Sequence, residues 1–91
     1  MTFDASFEAR YIRDFAKAVR RGIKPAAYSD CVNRIRKALS EISDPEQKRE
    51  AFVRIMQISN YGFIYTEDTS GSKASVAPAI DQLADFVSQI K

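Results

Sequence analysis

The chain contains no histidine and no tryptophan, and it has one cysteine, three glycines and three prolines. Each scarcity excludes something. Without histidine the chain lacks the commonest general base and the commonest metal ligand. Cys31 alone cannot close an intramolecular disulfide or supply the thiolates of a zinc site. No glycine-rich phosphate loop and no calcium-loop spacing is present. Carboxylate pairs exist at Glu67-Asp68 and Asp81-Asp85, but they fall in a polar stretch and on a polar helix face, not among groups that would perturb them. The expectation is a protein without catalytic residues, without a metal and without a cofactor, and not an enzyme. Few glycines and prolines leave few turn signals, which favours helices over many short strands. No apolar run approaches a membrane span, and Met1-Thr2-Phe3-Asp4 has no basic region followed by an apolar one. A cytoplasmic location, with no membrane partner, is expected.

What is present is a globular composition, 45% apolar and 29% charged over 91 residues, which suits one domain spanning residues 1–91. Size scaling gives a folded surface of about 5,400 Å² against about 15,000 Å² unfolded, enough burial to fold without metals or disulfides. The apolar residues recur at helical spacing in four stretches. Tyr11, Ile12, Phe15, Ala16, Val19 and Ile23 mark the first, Tyr28, Cys31, Val32, Ile35, Leu39 and Ile42 the second. Phe52, Ile55, Met56 and Ser59 mark the third, and Ile80, Leu83, Ala84, Val87 and Ile90 the fourth. Thr2 or Asp4, and Asp44-Pro45, read as helix starts, and Gly22 followed by Pro25 reads as a helix stop. Pro78 reads as a residue of the fourth helix's first turn. The spacing therefore predicts an all-α fold, a small four-helix bundle over about 4–21, 26–42, 45–60 and 76–90, with an extended aromatic connector and a mobile loop at 61–75.

Charge is uneven along the chain. Nine Lys/Arg stand against five Asp/Glu up to Ile42, and five against seven thereafter. The two halves can attract each other, a second copy, or an acidic partner. Arg10, Arg13, Lys17, Arg20, Arg21 and Lys24 recur at spacings of three and four and are expected as a basic ridge opposite the apolar face. Such a ridge suits an acidic protein surface or a phosphate backbone. Within the second helix, Asp30 and Arg34 are spaced for a surface ion pair.

Near the end of the ridge, Gly22 through Asn33 resembles the turn and second helix of the helix-turn-helix DNA readers. Ala18 supplies the small residue before the turn, and Ile23, Tyr28 and Cys31 supply the apolar ones. That resemblance covers residues 18–33 and implies that Lys24, Ala26 and Ser29 face a major groove. Lys17, Arg21 and Asp30 depart from the family's pattern.

A second feature is the aromatic group Tyr61, Phe63, Ile64 and Tyr65, suited to capping a core or anchoring a partner. The reading these features support is a small non-enzymatic protein–protein interaction module: a regulator, inhibitor or adaptor. It would bind a protein with an acidic surface through Arg10, Arg13, Lys17, Arg20, Arg21, Lys24, Tyr61, Phe63 and Tyr65. The alternatives are DNA or RNA binding by the same ridge or by residues 18–33, and a homodimer formed through Phe63-Ile64-Tyr65.

Overall fold

Asp4 accepts a hydrogen bond from the Phe7 amide at 3.1 Å and so starts the first helix, α1, Ala5–Arg21. Gly22 stops it with φ of 99°, a value that disfavours any residue carrying a Cβ, while its amide donates to the Val19 carbonyl. Pro25 then opens α2, Pro25–Leu39, at a first-turn position where a missing amide hydrogen costs nothing. Asp44 caps α3, Pro45–Glu67, accepting from the amides of Glu46 at 2.9 Å and Gln47 at 3.5 Å. The last helix, α4, is Gly71–Ser88. The computed structural model describes the backbone of residues 3–67 and 71–90, and the side chains of residues 3–59 and 76–90. Among the described residues there is no strand, and no helix is long and apolar enough to cross a membrane.

The four helices form a small all-α bundle in which each packs against two neighbours: α1 on α2 and α4, and α3 on α2 and α4. The radius of gyration is 12.5 Å, close to the roughly 12 Å of a compact chain of this length. Ile12, Val19, Ile35, Leu39, Ile55, Ile58, Ile80, Leu83 and Val87 are fully buried in one continuous cluster fed by all four helices. Phe15 and Tyr28 are the aromatic members of that core, and Tyr28 is the more deeply buried. Its ring lies 5.1 Å from that of Phe15 at 56°, and its hydroxyl donates to the Ile58 carbonyl at 2.7 Å. One residue thus ties α2 to both α1 and α3, and the buried hydroxyl has its partner.

Three expectations about the helices are corrected. Residues 61–65 are not an extended connector, because α3 continues through them to Glu67. An extended segment with no strand beside it would leave its backbone polar groups unpaired, whereas the helix pairs them internally. Against that, Gly62 in a helix interior costs only about 1 kcal/mol. The fourth helix begins at Gly71 and not near residue 76, so Pro78 sits well inside it. Pro78 is exposed, where water can take up the carbonyl that its ring leaves unbonded. The second helix ends at Leu39, three residues early, with the Ser40 hydroxyl donating to the Lys37 carbonyl at 2.5 Å and Ile42 still buried beyond it. Of the loop expected at 66–75, residues 68–70 lie outside the described residues.

Candidate interaction surface

The six cations expected as one ridge do not share one environment. At about 100° per residue, Arg10, Lys17 and Arg21 fall roughly 140–180° from the buried Ile12, but Arg13 and Arg20 fall only about 80–100° away. The inner pair faces α4. Arg13 Nη2 lies 2.7 Å from Asp85 Oδ1, and Arg20 Nη2 lies 2.7 Å from Asp81 Oδ2. The basic ridge is accordingly narrower than the sequence suggested, since two of its guanidinium groups are matched by the chain's own carboxylates. The same bonds account for Asp81 and Asp85, read from sequence as a solvated face. What remains is Arg10, Lys17 and Arg21 along the outer line of α1, continued by Lys24 past the Gly22 turn, all four exposed. None of the four reaches a carboxylate among the described residues. Asp14 lies on the same line and is also exposed.

On its other flank α1 meets α2 through an arginine cage that the sequence did not announce. Arg34 forms an ion pair with both carboxylate oxygens of Glu8, the longer contact being 3.4 Å. Its guanidinium lies 4.0 Å from the centroid of the Tyr11 ring and 5.7 Å from that of Phe7. The bond to Glu8 raises the Arg34 pKa further above its ordinary value. Burial, and then the adjacent Cys31 thiol, push the Tyr11 phenol up to about 12. The ion pair expected between Asp30 and Arg34 does not form, because Arg34 turns inward to a carboxylate and a ring that offer more than a solvated neighbour does. The missed signal was a register. In an antiparallel hairpin about Gly22, residues 8 and 34, 11 and 31, and 15 and 28 come level, and those are the pairs in contact.

That register also decides the geometry of residues 18–33. It brings Glu8 and Tyr11 to Arg34 and Phe15 to Tyr28, so that residues 18–33 form the turn end of the α1/α2 hairpin. Lys24, Ala26 and Ser29 are exposed at one end of a helical hairpin. Cys31, expected to be buried, is half-buried. Tyr61, Phe63 and Tyr65 belong to α3, but their side chains lie outside the described residues.

Two features of α3 were not read from the sequence as surface. Met56 was placed with the core residues and is instead exposed, as is Val53. The buried line is Ala51, Ile55 and Ile58. On a helix Met56 lies about 100° from Ile55, at the margin of that line. Between α2 and α3 a groove of about 230 Å³ is lined by Tyr28, Ser29, Val32, Asn33, Arg36 and Ser59. Between α3 and α4 a more open hollow of about 350 Å³ holds Arg54, whose guanidinium lies 5.1 Å from the Phe86 ring centroid. Among the described residues no three His, Cys, Asp or Glu side chains converge as metal ligands. The chain matches no protein-family model, no curated protein and no solved structure.

Proposed function

We propose that this protein is a small interaction module, a regulator, inhibitor or adaptor without a reaction of its own. Its outer α1 line, Arg10, Lys17, Arg21 and Lys24, docks on an acidic protein surface. One observation carries the reading. The neighbouring arginines Arg13, Arg20 and Arg34 are bound by carboxylates of the same chain, while these four stand exposed without one among the described residues. A row of unneutralised charge steers encounter with an acidic partner and fixes its register more than it adds raw affinity.

The test is affinity capture from the native host, with nuclease-treated and untreated lysate run side by side. The baits are the wild type, an Arg10→Glu/Lys17→Glu/Arg21→Glu variant, and an Arg13→Gln/Arg20→Gln variant. The expected result is a protein retained by the wild type and by the glutamine variant after nuclease, and lost by the glutamate variant at unchanged helicity. Retention by all three baits would remove the outer line from the function. Recovery that vanishes with nuclease would move the assignment to nucleic acid, with affinity falling steeply as salt rises.

A further inference from the structure

We infer that the α2/α3 face is a second docking site, and that its occupant is an acidic amphipathic helix. On α3, Arg49, Val53 and Met56 follow one another at spacings of four and three, and Ser59 follows Met56 by three, so the four form one row on the helix surface. On α2, Ser29, Asn33 and Arg36 form a parallel row by the same rule, and these three line the groove together with Ser59. The α2 row and Ser59 enclose a trough whose floor is Tyr28 and Val32, and Met56, Val53 and Arg49 continue the Ser59 row along the exposed surface of α3.

Three properties of the trough select the occupant. The first is apolar exposure: Val53 is 48% exposed and Met56 60%. Single exposed apolar side chains are ordinary, but these two are adjacent on one helix, in line with the Ser59 that lines the groove, and methionine adapts to irregular apolar surfaces. The second is charge. Arg36 and Arg49 are exposed, neither row contains an acidic residue, and neither arginine meets a carboxylate among the described residues. The third is order. The Ser59 hydroxyl donates to the Ile55 carbonyl at 2.6 Å and accepts from Arg36 Nη2 at 3.1 Å. The Arg36 guanidinium is thereby held at the trough's edge with donors to spare, so little side-chain entropy remains to be lost when a carboxylate arrives. A trough between two packed helices accepts a third helix along its length, with apolar residues at spacings of three and four directed inward. A second copy of this chain fits poorly. A two-fold contact through this face brings Arg36 and Arg49 of one copy against the same cations of the other.

The site shares no residue with the α1 line, so the two readings stand or fall separately. The probe is a synthetic peptide of about four helical turns, with leucine at spacings of three and four and glutamate elsewhere, and with a fluorophore at one end. Two control peptides carry lysine in place of glutamate, or the same composition with the leucine spacing scrambled. The wild-type protein binds the acidic amphipathic peptide and neither control, and the Val53 and Met56 methyl resonances shift on titration. Met56→Ser and Arg36→Glu/Arg49→Glu each weaken binding about tenfold or more, whereas Arg10→Glu/Lys17→Glu/Arg21→Glu leaves it unchanged. The exchanged side chains are exposed, and circular dichroism of each variant checks that its helices are kept. Equal binding of all three peptides overturns the proposal. So does loss of binding only in the α1 variant, or unshifted Val53 and Met56 methyls. A concentration-dependent mass abolished by Met56→Ser would give the face to a second copy and also overturn it.

Discussion

Along its α4 side α1 offers Ala9 and Ala16, and α4 answers with Ala77 and Ala84, all four buried. Along its α2 side α1 offers Tyr11 and Phe15, and α2 answers with Tyr28 and Arg34. The α1 and α4 backbones approach closely along their length, while α1 and α2 stand further apart. Side-chain size at the contact sets that difference, since small residues let helices close and large ones hold them apart. The polar contacts follow suit. Beside the narrow seam the ion pairs are solvated, with Arg13 and Arg20 both about half exposed. At the wide seam there is room to enclose a charge, and Glu8, 12% exposed, sits beneath Arg34. One seam holds by close backbone packing, and the other by rings that fill volume and shelter an ion pair. On α1, the residues outside both seams are the exposed outer line, Arg10, Lys17 and Arg21.

The comparison is broken most severely by opposite changes in size. Phe15→Ala removes a ring that keeps α1 and α2 apart and should cost about 3–5 kcal/mol, because the helices cannot close over the void. Ala84→Leu forces bulk into the narrow seam and should cost about 1–3 kcal/mol by crowding. Urea unfolding at neutral pH measures both. If Ala84→Leu proved neutral, the α1/α4 contact would not be as close as described.

Charge removal sharpens the same contrast at smaller scale. Arg34→Ala leaves a largely buried Glu8 carboxylate without its partner and strips a cation from the face of Tyr11, a loss of about 2–3 kcal/mol. Arg34→Lys should recover little of it, since an ammonium cannot span two carboxylate oxygens while stacking on a ring. Arg13→Ala and Arg20→Ala, acting on exposed pairs, should each change stability by about 0–1 kcal/mol, and less at high salt. A double-mutant cycle of Glu8 and Arg34 beside one of Asp85 and Arg13 separates the two seams directly.

The sequence carried the elements that rest on local chemistry. Asp4, Gly22, Asp44 and Pro45 mark helix ends by hydrogen bonds and backbone angles that belong to their own segments, and the structure has helix ends at all of them. The apolar periods gave four helices for the same reason. What was not legible depends on neighbours. The third helix was expected to end at residue 60, yet the penalty of Gly62 inside a helix is smaller than that of leaving the next turn's backbone unpaired. Arg13 and Lys17 look equivalent by spacing; only the position of α4 makes Arg13 an internal partner and leaves Lys17 at the surface. Arg34 looked like one half of a surface pair with Asp30 until the hairpin register brought Glu8 and Tyr11 to it. Met56 sat at the margin of an apolar stripe whose centre is set by which helices flank α3.

The last test of the comparison is pH, read at a phenol of the wide seam. Tyr11 has an ordinary pKa of 10.0, pushed up to about 12 in the fold by burial and by the Cys31 thiol. The folded state therefore holds the phenol proton more tightly than the unfolded chain does. The stabilisation associated with that proton is complete below pH 10 and is lost as pH rises from about 10 towards 12, where the unfolded chain ionises first. Tyr11→Phe keeps the ring beneath Arg34 and deletes the ionisation. The stability difference between wild type and Tyr11→Phe should be flat from neutral pH to about 10 and then move against the wild type. Lysine titration contributes equally to both proteins and cancels in the difference. A difference that stays flat to pH 12 would mean that the phenol is as solvated in the folded hairpin as in the unfolded chain, and that the rings of the wide seam do not shelter the polar groups between them.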